Sequence, residues 1–143
     1  MEYVWIIFAL LSAVAASLVA IFGKIGLQGL DTNTATAIRA VIMAVFLIGV
    51  IVVQGKLENI APILADHKAL FYIVLSGVAG ALSWLFYFVA LKSAKVSQVV
   101  PIDRLSVVFA LLLAFFLLGE KISLKAAIGA ALVVVGGVLI ALG

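Results

Sequence analysis

Three ionisable residues stand inside otherwise apolar stretches of this sequence: Arg39, Asp103 and Arg104. Ionisable groups at membrane depth are costly, and where they occur they face a protein interior or a watery cavity. Arg39 lies about 9–10 Å into its run at 1.5 Å per residue. Asp103 and Arg104 lie at nearly the same depth in theirs, so three charges from two helices are expected to converge on one layer. Asp103 and Arg104 are about 100° apart on a helix and do not face each other. One arginine can pair with Asp103 across helices, which leaves one positive charge over. The chemistry this offers is binding of a charged group. The alternatives are structural: the arginines can snorkel to the nearer interface, or an Arg–Asp pair can lock two helices together.

A second set of polar and aromatic residues falls near that layer. Ser76, Gly80, Ser83 and Tyr87 are spaced 4, 3 and 4, which places them on one helical stripe. Trp84 flanks the stripe, and Ser17 reaches similar depth from the first run. Small residues at such spacing also let helices pack closely in lipid, and aromatic rings are common at membrane interfaces. The candidate substrate-binding residues are therefore Ser17, Arg39, Trp84, Tyr87, Asp103 and Arg104. Ser12, Ala16 and Ala20, and Gly129, Gly136 and Gly137, read as helix-contact positions; Gly129 and Gly136 share a face suited to an interface between chains.

Catalysis has little to work with. The sequence has no cysteine and a single histidine, His67, so no metal-ligating cluster is expected. No HExxH, GxSxG or Walker pattern occurs. An enzyme is not expected, nor is any cofactor or metal.

The elements that must position these residues follow from composition. The 143 residues are 68% hydrophobic and 10% charged, with mean hydropathy +1.46. A soluble domain is about 25% charged, and a small domain has too little interior to hide so much apolar surface. That excludes a cytosolic enzyme and a nucleic-acid-binding module; no nucleic acid partner is expected. Five runs, about 4–22, 33–53, 70–91, 97–118 and 124–142, are each close to the roughly 20 apolar residues that span a bilayer. They are apolar around their whole circumference, as helices in lipid are, and none alternates as a barrel strand does. The expected fold is an all-α polytopic membrane protein with five transmembrane helices, a single domain over 1–143, surrounded by membrane lipid. The connection 54–68 is the longest, and its centre at Ile60–Leu64 can rest at the lipid interface. The first run is expected to span and to remain, since the residues before it hold Glu2 and no Lys or Arg, where a cleaved signal wants positive charge.

The stretch from Tyr87 through Lys92, Lys95 and Ser97, then Pro101-Ile102-Asp103-Arg104-Leu105-Ser106, then Leu117-Leu118-Gly119-Glu120-Lys121 and the closing Gly129, Gly136 and Gly137, resembles the EamA domain of the drug/metabolite transporter superfamily. Arg39 fits the same pattern, and the likeness spans essentially the whole chain. Most members carry two such domains and ten helices. This chain carries one, like the short five-helix prokaryotic branch. The resemblance implies one half of an inverted-repeat transporter fold, completed by another chain, in a prokaryotic cytoplasmic (inner) membrane. The implied activity is secondary transport of a small-molecule substrate, a metabolite or drug, by alternating access. An accessory or structural subunit and a passive channel are the competing expectations.

Orientation follows the side that carries more Lys and Arg. The side of the N-terminus receives Lys56, Lys68, Lys121 and Lys125. The other receives Lys24, Lys92 and Lys95, with Arg39 and Arg104 slightly deeper. The near balance points to dual topology, with a second copy in the opposite orientation as partner. A C-terminal reporter active only in the cytoplasm and one active only outside should therefore both give signal. Two or three lysines added to one side should then bias the population, and a single active reporter in the unmodified chain would refute the expectation.

Overall fold

A backbone crossing hydrocarbon finds no water, so its peptide groups must bond within the segment, and a helix does this without a neighbour. The computed structural model, which describes residues 3–143, is helical throughout. In chain order the helices are α1 (Val4–Gly26), α2 (Thr32–Val53), α3 (Ile60–Ala65, after a 3-10 turn at Leu57–Asn59), α4 (His67–Ser93), α5 (Val96–Asp103), α6 (Ser106–Leu118) and α7 (Leu124–Leu142). Among the described residues there is no strand. Five helical stretches are long and apolar enough to cross a membrane, α5 and α6 together forming the fourth, Val96–Leu118. In each, only 6% of the apolar window is buried, so lipid or another chain must cover the rest. This is the all-α polytopic membrane architecture expected above. Beyond the expected bounds, α1 runs on to Gly26 and α4 begins at His67, and the long connection contains α3, whose Ile60, Ile63 and Leu64 are exposed.

Side chains close the helix ends where the first amides lack an intrahelical acceptor. Asp31 accepts from the Thr34 amide at 2.7 Å and the Thr34 hydroxyl at 2.8 Å at the start of α2. Asp66 accepts from the Ala69 amide at 3.0 Å before α4, and Ser123 from the Ala126 amide at 3.1 Å before α7. At the far end of α6, Gly119 takes the left-handed conformation (φ 68). The Glu120 amide then turns back to the Ala114 carbonyl at 3.2 Å, a closure that a Cβ at Gly119 would strain.

The fourth span is broken, where the sequence suggested one continuous helix over 97–118. Pro101 lacks the amide hydrogen that would bond to Ser97 in the preceding turn, yet the helix runs on past it to Asp103. Beyond it the Leu105 amide bonds to Ile102 at 3.0 Å, Val107 to Arg104 at 3.1 Å and Val108 to Leu105 at 2.9 Å. These three-residue steps are tighter than the α-helix. The Pro101 carbonyl faces α7, where a Cβ added at Gly137 would lie 3.0 Å from its oxygen. Gly137 is the buried residue of α7. Gly129 and Gly136, by contrast, have open space at the Cβ position.

The chain gathers into two compact units, one of residues 1–25 with 93–143 and one of residues 26–92. In the first, α7 runs against α5 and touches α6. Gln98 Nε2 donates to the Ala141 carbonyl at 3.4 Å, and Lys24 Nζ donates to the Ala94 carbonyl at 2.8 Å. In the second, Lys92 Nζ at the end of α4 donates to the Leu30 carbonyl at 2.9 Å.

Two stability predictions follow from these contacts. Gly137→Ala should lower the melting temperature in detergent, because overpacking against backbone costs about 1–3 kcal/mol. Gly129→Ala and Gly136→Ala meet no neighbour within the chain and should lower the melting temperature less. The second concerns Asp31, whose carboxyl is held below the ordinary carboxylate range, first by the Thr34 amide and then by the Thr34 hydroxyl. A depressed carboxylate stabilises the fold above its unfolded value of about 3.9, and that contribution is lost as pH falls through the lower folded value. Asp31→Ala should therefore melt below the parent at neutral pH and converge with it in strong acid.

Candidate functional site

In the second unit, Arg39 leaves α2 on the same helical face as Thr32 and Thr36, at positions i, i+4 and i+7. Both threonines are buried, and the Thr36 hydroxyl donates to the Thr32 carbonyl at 2.7 Å, so that polar pair is closed within its own helix. Arg39 is half-buried. Its guanidinium carbon lies 3.6 Å from the centroid of the Trp84 ring and 4.6 Å from that of Phe88.

Those rings are set by α4. Trp84 and Phe88 are one turn apart, with centroids 5.5 Å apart and an interplanar angle of 23°. Tyr87 meets both edge-on, at 5.8 Å from Trp84 and 5.6 Å from Phe88. Phe88 is buried, while Trp84 and Tyr87 are half-buried. Three aromatic side chains thus form a cluster with an arginine lodged against it.

Magnitudes show how well that arginine is satisfied. An arginine deep in a spanning helix costs about 2.5–3.5 kcal/mol on insertion scales. A desolvated cation–π contact returns about 2 kcal/mol. The Nε–H is buried and meets no acceptor among the described residues, so none of that cost is returned at this donor by a hydrogen bond. The aromatic contact therefore offsets only part of the penalty, and Arg39 retains an unmet demand for an acceptor.

The six residues expected to bind substrate divide evenly. Arg39, Trp84 and Tyr87 belong to the second unit, and the structure brings them together around Phe88. Ser17, Asp103 and Arg104 belong to the first. Ser17 is exposed, and its hydroxyl donates to the Val14 carbonyl of its own helix at 2.7 Å. Asp103 and Arg104 are exposed at the break between α5 and α6. Ser76 and Ser83 are also exposed on α4. Phe88 was missed by sequence reasoning, although its four-residue offset from Trp84 was the available signal. Among the described residues, no group of three His, Cys, Asp or Glu could hold a metal ion.

With this geometry in hand, comparison with known proteins places the chain. The EamA-like transporter family matches residues 3–142. A Sinorhizobium protein named as an uncharacterized transporter in a cobO 3′ region is 34% identical over 141 residues, covering 99% of both chains. An uncharacterized protein of Methanocaldococcus jannaschii is 29% identical over 103 residues, covering 70% of this chain and 74% of its own. No solved structure gives a significant match. Five apolar spans and a family match over nearly every residue agree: this chain is an integral membrane protein and belongs to the EamA-like transporter family.

Proposed function

We propose that this protein is a secondary transporter that moves a small metabolite or drug by alternating access, working as an antiparallel homodimer in a prokaryotic cytoplasmic membrane. The observation that carries the reading is Arg39: a charged group inside an apolar span, held against Trp84 and Phe88, with a buried N–H that meets no acceptor among the described residues. A residue kept only to reach the headgroups would extend toward water. This one is turned onto rings of the neighbouring span.

In this reading Arg39 recognises a charged part of the substrate, and Trp84 and Tyr87 form walls. Ser17, Asp103 and Arg104 are proposed as further substrate contacts, and no covalent chemistry is performed. The second copy, inserted the other way, completes the pseudo-symmetric pair that inverted-repeat transporters build within one chain. Three observations support the arrangement. Lysine and arginine are nearly balanced across the five spans. The spans expose most of their apolar surface. The Sinorhizobium relative, named as a transporter, is matched over 99% of its length. The relatives come from a bacterium and an archaeon, which fits a prokaryotic membrane.

The test is counterflow in proteoliposomes loaded with an isotope-labelled bacterial metabolite extract and read by mass spectrometry. Saturable exchange of at least one compound is expected. Arg39→Gln should abolish it while leaving a folded protein by detergent melting, and Arg39→Lys should restore little, because lysine lacks the planar fork. Unsaturating flux would mark a channel, absence of flux an accessory subunit, and normal exchange by Arg39→Gln would remove Arg39 from the site.

A further inference from the structure

We infer that the site around Arg39 takes a singly charged organic acid, with its carboxylate on the guanidinium and an apolar or aromatic body against the Trp84, Tyr87 and Phe88 cluster. The inference rests on the reading of Arg39 as a substrate-binding residue and adds the chemical class of the substrate.

The sign of the charge comes from the donors. A guanidinium has N–H donors and no acceptor. The Nε–H of Arg39 is desolvated and lacks an acceptor among the described residues, so the site is short of a negatively polarised oxygen. A cationic substrate would have to share the face of Trp84 with a guanidinium already 3.6 Å from its centroid, and two like charges would meet in a low-dielectric setting.

The magnitude of the charge comes from the surroundings. Arg39 is the one cation among residues 33–53, and the other carboxylates of its unit stand outside the α2 and α4 spans, at Asp31, Glu58 and Asp66. One carboxylate makes this site neutral. A dianion such as a phosphate monoester leaves an uncompensated negative charge in an apolar span, where an unpaired ion is strongly disfavoured. A carboxylate also has two oxygens that match the guanidinium fork.

The body of the ligand follows from what surrounds the arginine. Phe88 is buried, and Tyr87 stands edge-on to both of its neighbours. Phe88 backs the cluster, and the half-buried Trp84 and Tyr87 offer the apolar area and π edges, which suit a hydrocarbon or aromatic body better than a polyhydroxylated one.

The sequence supplies the probe. It contains two tryptophans, Trp5 and Trp84, so Trp5→Phe leaves Trp84 as the sole indole reporter, beside the group in question. The experiment titrates that protein, purified full-length in nanodiscs, with benzoate, hexanoate, benzamide, phenyl phosphate and benzylammonium. Benzoate and hexanoate should change Trp84 emission saturably. Neutral benzamide, and phenyl phosphate at a pH where it is a dianion, should bind about ten- to a hundredfold more weakly, the loss expected when a charged hydrogen bond is missing or mismatched. Arg39→Gln should weaken benzoate by a similar factor. Arg39→Lys, which keeps the charge, should recover only part of it and guards against a folding defect in the first variant.

Preference for benzylammonium over benzoate, equal binding of benzamide and benzoate, or benzoate binding unchanged by Arg39→Gln would each overturn the inference. So would failure of all the monocarboxylates to bind. Because emission is read at equilibrium, the result separates from the transport reading. Benzoate that binds through Arg39 while no compound exchanges in proteoliposomes supports the ligand class and refutes transport. Saturable exchange of a cation, with no carboxylate bound, refutes the ligand class and keeps transport.

Discussion

The constraint behind this structure is that a peptide group inside hydrocarbon has no water to bond with. Each span must close its own backbone, so the ends of the helices are where side chains are needed. Asp31, Asp66 and Ser123 take up amides at the starts of α2, α4 and α7. Gly119 supplies the left-handed turn that closes α6. Lys24 and Lys92 give their ammonium protons to the Ala94 and Leu30 carbonyls. Within a chain of few polar residues, much of the polar inventory serves this one purpose.

The departures from that rule are informative because each carries a cost in lipid. At Arg104 and Leu105 the α-helical ladder gives way to tighter three-residue steps. The interruption is accommodated where α7 presents Gly137, the one glycine of α7 whose added Cβ would meet another element's backbone. At Arg39 a charge enters an apolar span and is only partly compensated, by aromatic faces and by no acceptor for its Nε–H. The first departure is resolved within the chain by packing. The second is left open among the described residues. The same rings that lower the cost of Arg39 also hold its position, since a planar cation against Trp84 and Phe88 has less freedom than one in solvent.

Much of the architecture was legible in the sequence because hydropathy is a sum over many residues and tolerates local error. Five apolar runs of bilayer length specify five spans whatever the contacts between them. The depth of Arg39 and of Trp84 could be counted from helix ends, since the rise per residue is fixed. The break in the fourth span was not legible, because it falls at Arg104 and Leu105, where neither glycine nor proline marks it, while the helix runs through Pro101 without interruption. Which of three glycines in α7 makes a close approach was equally hidden: Gly136 and Gly137 differ by one position, and only the rotation of α7 against α5 decides between them.

The sequence by itself therefore determined that this chain lives in a membrane, how many times it crosses, and that Arg39 sits among apolar residues. Hydrophobic transfer depends on composition along the chain and needs no partner. The tertiary structure alone decided that Arg39 meets Trp84 and Phe88, that its Nε–H goes without an acceptor, and that Asp103 and Arg104 lie exposed at a helix break. Those are properties of side-chain direction and helix rotation, which spacing along one helix constrains on that helix and leaves free relative to the next.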